Sequence, residues 1–203
     1  MAFTPVTFKD ANSTSTSMAA YQDPNGYNIT IQSRDSSIAH YRAGVSRMTP
    51  PAAPVESLLI AGSGTKTVRV KKIGISGIAT AAGQMPFTVH KNSNATTTGA
   101  TMTALTKVPL DSGNAAATAI VSTVGTANIT TPLTSLGNVY VGELELAAAT
   151  SGVCKPHEIT FGDGGQALVL RGVAESVVVD FGGTALPSGT KFDYWVEWAE
   201  DAS

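Results

Sequence analysis

The chain has 203 residues, 42% of them hydrophobic and only 14% charged, with a net charge of −2 at pH 7. That length buries one substantial core, so one domain with an appendage is expected rather than two full domains. A single cysteine, Cys154, excludes an internal disulfide, and no run approaches the roughly 20 apolar residues that a membrane-spanning helix needs.

Residues 1–66 differ in texture from the rest and are expected to form an N-terminal arm and a Pro-bearing linker. The start, "MAFTPVTFKD", has no charged leader followed by an apolar run, so synthesis in a cytoplasm is expected. A Ser- and Thr-rich stretch follows, then a Pro-Asn-Gly turn and one short strand-like run from Tyr27 to Gln32. In "MTPPAAPVESLLIAGSGT", Pro50, Pro51 and Pro54 impose extended geometry and forbid a helix.

From Thr67 onward, residues 67–203 show short β-like runs between turn residues. "TVRVKKIGIS" alternates Val68 and Val70 against Arg69 and Lys71, then changes phase to Ile73 and Ile75, as a bulge near Lys72 or Gly74 would produce. "MPFTVHK", "TALTKVPL", "AATAIVSTV", "NVYVGELEL", "HEITF", "ALVLRG", "SVVVDF" and "FDYWVEW" follow, separated by Gly, Asn, Asp or Pro. The absence of helical periodicity between them predicts an all-β protein, an antiparallel β-sandwich or jelly roll, although the alanines of "SGNAAATAIV" would suit a helical turn. In the closing run, Phe192, Tyr194, Val196 and Trp198 share one face, and Asp193, Trp195, Glu197 and Ala199 share the other. A large ring among carboxylates on an outward face requires an explanation.

Candidate chemistry along the chain is sparse. Gly62 and Gly64 in "LLIAGSGT" imitate a dinucleotide-binding turn, but a strand follows where a pyrophosphate needs a helix N-terminus, so a plain turn is expected. Cys154 and His157 in "SGVCKPHEIT" lack an orienting partner for a cysteine nucleophile. His40, His90 and His157 have no metal-ligand spacing, and "FGDGGQ" has one carboxylate where a calcium loop needs several. Glu143 and Glu145 share a strand face and read as its wet side rather than as a glycosidase pair. Lys66, Arg69, Lys71 and Lys72 fit a solvated edge better than a phosphate-binding patch. No enzyme, cofactor or metal is expected, and nucleic acid is not an expected partner.

Charge is polarised along the chain. Residues 1–110 hold ten Lys and Arg against four acids, and residues 140–203 hold three against ten. Opposite poles meet either within the chain or between neighbouring subunits.

The segments "VRVKKIGISGIATAAGQMPFTVHKNS", "ALTKVPLDSGNAAATAIV" and "ALVLRGVAESVVVDFGGTALPSGTKFDYWVEWAED" resemble β-sandwich structural proteins of tailed bacteriophages, among them head decoration or cement proteins. The resemblance covers residues 67–200. It implies a virion protein on the outer capsid surface, bound to the major capsid protein and to itself as a homo-oligomer, often a trimer, without a membrane. A glycan-binding module of a tail fibre or spike, with Trp195 as stacking platform, and a tail-tube or adaptor subunit are the alternatives.

Residues expected to bind a partner are the spaced aromatics Phe3, Phe8, Tyr21, Tyr27 and Tyr41, the cations Arg34, Arg42 and Arg47, and Trp195. Aromatic anchors on a flexible chain lie across a neighbouring surface, guanidinium groups pair with acids there, and Trp and Arg concentrate in interfaces.

Overall fold

Every regular element among the described residues is a strand, in a chain where β-branched residues alternate with polar ones and Gly or Pro punctuates the runs. The computed structural model describes residues 5–9, 15–19, 38–95, 102–125, 128, 133–150, 154–162 and 167–202. None of the described residues forms a helix long and apolar enough to cross a membrane. Two compact units divide the chain, Met1–Ser36 and Ser37–Ser203. In the first, β1 (Pro5–Lys9) and β2 (Ser15–Ala19) form an antiparallel hairpin with Pro5 opposite Ala19.

The second unit contains, in chain order, β3 (Ala39–Met48), β4 (Glu56–Ala61), β5 (Lys66–Ala79), β6 (Gly83–Asn92), β7 (Met102–Ala104), β8 (Lys107–Pro109) and β9 (Ile120–Val124). They are followed by β10 (Ser135–Ala148), β11 (His157–Thr160), β12 (Leu168–Leu170), β13 (Ser176–Asp180) and β14 (Lys191–Ala202). All twelve join one curled open sheet in the order β7-β9-β4-β13-β6-β10-β5-β14-β3-β8, with β11 and β12 also on β5. Each of the nine runs expected from Thr67 onward falls on a strand, with "TALTKVPL" divided between β7 and β8. The alanines before β9 form no helical turn; Tyr41 and Lys107 hold their carbonyls instead.

Two long-range devices curl the sheet. β10 runs antiparallel to β6 as far as Leu146, then leaves it and pairs in parallel with Gly77–Ala79 of β5. Only Leu105 and Thr106 separate β7 at one end of the strand order from β8 at the other, so this short segment bridges both ends. One core cluster accordingly collects side chains from both halves of the sheet. Phe192, Tyr194, Val196 and Trp198 of β14 are buried in it beside Leu58, Phe87, Val89, Val177 and Val179. Phe181 stacks on Phe192 at 4.9 Å, and the hydroxyl groups of Tyr194 and Ser57 meet at 2.7 Å, linking β14 to β4. Burial pushes the Tyr194 phenol far up from its ordinary range.

The phase change expected in β5 is a bulge at Lys71. Glu197 faces Lys72 and Trp198 faces Val70, so the extra residue turns Val68, Val70, Ile73 and Ile75 all inward.

The compact sheet unit begins at Ser37, about thirty residues before the boundary that composition suggested. β3 and β4 are internal to the sheet, and the Pro-bearing connection between them is packed: Pro50, Pro51 and Pro54 are buried. The reason is that proline loses only its donor. Carbonyls of this segment still accept bonds, Ala52 from Leu186, Pro54 from Gly183 and Val55 from Phe181.

Candidate functional site

The outward face of β8, β3, β14, β5 and β11 is a grid of side chains set by register. One row carries Val108, Arg42, Glu197, Lys72 and Thr160, and the next carries Gly44, Trp195, Gly74 and Glu158. Gly74 is the floor of a trough for the Trp195 ring, and Gly44 leaves room beside the Trp195 Cβ on the neighbouring strand. A Cβ on Gly74 would stand 2.0 Å from Trp195 Cε2 and Nε1, and one on Gly44 would stand 3.3 Å from Trp195 Cβ. The ring therefore lies flat on the strands, half-buried, and the Arg42 guanidinium covers it at 4.3 Å from the centroid.

The carboxylates around the ring have separate tasks. Asp193 accepts from the Arg47 amide at 2.7 Å, from Ser46 Oγ at 2.9 Å and from Ser76 Oγ at 3.4 Å. This holds a bulge in β3, where the register shifts between Phe192 and Tyr194 and Arg47 adopts a φ of 57°. Glu158 pairs with Lys72 at 2.8 Å, and Asp201 pairs with Arg69 at 2.8 Å. Glu197 lies between Arg42 and Lys72 in the row. Among the described residues Arg42 has no carboxylate in ion-pairing range and remains exposed, held by its stack alone. Exposed Val108 and Leu110 border it on β8 and just beyond. The result is a pad made of a stacked Arg–Trp pair and two aliphatic side chains, suited to covering by a protein surface.

Of the residues expected to bind a partner, the structure brings Arg42 and Trp195 together and puts Arg47 on the same strand at the bulge. Tyr41 is corrected: it is 3% exposed, stacks on Trp198 at 5.7 Å and donates its hydroxyl to the Ala115 carbonyl. Up to the bulge, odd positions of β3 face the core, which the isolated place of Tyr41 among polar residues concealed. Phe8 lies on β1, and Phe3, Tyr21, Tyr27 and Arg34 lie outside the described residues, as does the run Tyr27 to Gln32. Sequence reasoning missed Val108, Leu110, Gly44 and Gly74, whose only signal is cross-strand register.

Other candidates are occupied internally. His157 Nε2 and the Tyr140 hydroxyl share a 2.7 Å bond, and the Cys154 thiol donates to the Gly77 carbonyl, so each has its own partner. Gly62 and Gly64 belong to a turn in which Ser63 Oγ accepts from the Thr65 and Lys66 amides. No group of three or more His, Cys, Asp or Glu converges on a metal-sized site among the described residues.

The division between core and pad has a measurable consequence. Trp195→Ala is expected to cost about 1 kcal/mol in urea unfolding, against about 3 to 5 kcal/mol for the fully buried Trp198→Ala. Equal losses would place Trp195 in the core. Compared with protein-family models, with curated proteins and with solved structures, the chain matches none.

Proposed function

We propose that this chain is a non-enzymatic structural subunit of a virion, a capsid decoration protein of the cement type on the outer head surface of a tailed bacteriophage. In this reading the curled sheet is a jelly-roll-like β-sandwich whose corners are β10 and the β7–β8 segment. The observation that carries it is the Arg42–Trp195 pad beside exposed Val108 and Leu110, a composition found at the centres of protein interfaces. The ionisable groups Asp193 and Glu200 meanwhile serve to hold the chain's own loops and strands. The resemblance in residues 67–200 supplies the virion context. Residues 1–36, with Phe3, Phe8, Tyr21, Tyr27 and Arg34, supply the grip on the major capsid protein, and many weakly bound copies hold through avidity. A glycan platform is disfavoured, because Arg42 covers the ring face that a sugar would need and Asp193 is committed to β3.

Labelled antibody against the chain, applied to particles of the phage that encodes it, is expected to mark the head. Chain lacking residues 1–36 is expected to melt within a few degrees of the parent yet no longer rebind heads stripped of accessory proteins. Label confined to the tail, or parental rebinding by the shortened chain, would overturn the respective part of the proposal.

A further inference from the structure

We propose that residues 110–119, between β8 and β9, form an acid-released strap: when Glu200 takes a proton the strap lifts, the strands stay paired, and the Tyr41–Trp198 stack beneath it meets water. The inference goes beyond the proposed function and does not depend on it.

The strap has almost no hold of its own. Within 115–119 only Ala119 is buried, Ala117 is partly buried, and Ala115, Ala116 and Thr118 are exposed. Among the described residues, no backbone-to-backbone hydrogen bond joins 115–119 to a strand. A segment that buries little apolar surface and lacks a ladder opens at low free energy. Its ends are tied, because β8 pairs with Tyr41–Ala43 of β3 and β9 pairs with Leu58–Ala61 of β4. The middle can therefore lift as a loop without unzipping either strand.

Three side chains hold it down. Tyr41 donates its hydroxyl to the Ala115 carbonyl at 2.9 Å, and Lys107 Nζ donates to the carbonyls of Ala117 and Ala119 at 3.0 and 2.7 Å. Glu200 takes the opposite groups, accepting from the Thr118 amide and hydroxyl and from the Ala119 amide. The same carboxylate accepts from Trp198 Nε1, and Tyr41 stacks on Trp198, so the holding groups and the aromatic pair form one unit. Trp198 and Tyr41 are 0% and 3% exposed while the strap is closed.

Of the three holding groups only the carboxylate changes charge in acid. Lys107 stays a cation, and burial keeps the Tyr41 phenol above its ordinary range. β5 presents Val68 opposite Glu200, while His40, Arg69 and Asp201 lie on the other face of the sheet, the last two as an ion pair. Asp111 is the one ionisable side chain within 110–119, and it is exposed and accepts from the Gly113 amide. A protonated Glu200 keeps fewer acceptor sites and turns an O–H toward donors, which leaves strap amides without partners. Burial pushes the Glu200 carboxyl up, yet its bonds hold it below 4.5. The hold is therefore complete above that value and is lost as pH falls through the lower folded one.

The test uses the full chain carrying Trp195→Phe, which leaves Trp198 as the only indole. Acrylamide quenching of Trp198 is expected to rise at least about threefold between pH 7 and pH 3 while the far-UV strand signal holds, because opening is local. Lys107→Met weakens the strap from its carbonyl side and is expected to move the quenching midpoint to higher pH. Protonation of a carboxyl beside an indole that stays covered would not respond to that change. Glu200→Gln is expected to be quenched strongly at pH 7 already and to be cut by thermolysin within 110–120, where the parent resists. Where Glu200→Gln fails to fold, the acid titration and Lys107→Met decide alone. Quenching that stays flat to pH 3, that rises only as the strand signal is lost, or whose midpoint ignores Lys107→Met would each overturn the proposal, as would a folded Glu200→Gln quenched like the parent at pH 7.

Discussion

Glu200→Gln is expected to lower folding stability by about 3 kcal/mol at pH 7, the range for breaking a buried charge-assisted network. Glu200 is 4% exposed at the inner end of β14. Its carboxylate accepts from the Thr118 amide, Thr118 Oγ1, the Ala119 amide and Trp198 Nε1, all at 2.7 to 2.9 Å. These bonds fasten the segment before β9 against β14. Glutamine keeps one acceptor and turns an NH₂ group toward donors, leaving buried amides without a partner. For a unit of this size the melting temperature is expected to fall by about 6 to 12 °C. A loss under about 1 kcal/mol would mean the network contributes little net free energy.

The pH dependence follows from the same contacts. Burial pushes the Glu200 carboxyl up, but the bonds from Ala119, Trp198 and Thr118 outweigh it, and the net position is below the ordinary value of 4.5. A depressed folded pKa contributes stability that is complete above the unfolded value and lost as pH falls through the folded one. The gap between parent and Glu200→Gln is therefore expected to narrow in acid. Glu56 has the opposite sign. Burial raises its carboxyl, against the Leu133 amide bond, and nearby Asp180 raises it further. Its contribution is complete below the unfolded value and is lost as pH rises through the folded one, so Glu56→Gln is expected to cost less at pH 7 than at pH 4.

Gly74→Val is expected to cost about 2 kcal/mol, in the range for forcing atoms into an occupied site. The first added carbon would stand 2.0 Å from two ring atoms of Trp195, so the indole must leave its trough and Arg42 loses the surface on which it stacks. Trp195 emission is expected to shift to the red as the ring enters water. In a Trp195→Ala background the same change is expected to be neutral or stabilising, because a β-branched residue suits a strand interior better than glycine once the space is open. Urea unfolding of the four variants gives the coupling directly, and additive losses would show that the ring does not depend on Gly74.

Short β-like runs between turn residues were enough to locate the strands from β5 to β14, and period-two alternation chose the inward face where one side alone is buried, as in most of β14. The inward set Phe192, Tyr194, Val196 and Trp198 of β14 and the phase change in β5 were legible for that reason, with the bulge at Lys71, next to the first of the two positions expected, Lys72 and Gly74. β3 and β4 were not. Tyr41, Ala43 and Val45 alternate weakly inside a polar stretch, and the prolines that follow looked like a linker until their carbonyls met the 181–187 segment.

By itself the sequence determined an all-β chain, where most of its strands lie, and the odd placement of Trp195 among charged neighbours. Tertiary structure alone decided that Gly74 lies under that ring, that Arg42 stacks on it, and that Glu200 fastens a segment some eighty residues earlier. The physical reason is distance along the chain. Side-chain alternation is a property of adjacent residues, whereas troughs and carboxylate clamps depend on which strands become neighbours, and that is settled only when the whole core closes.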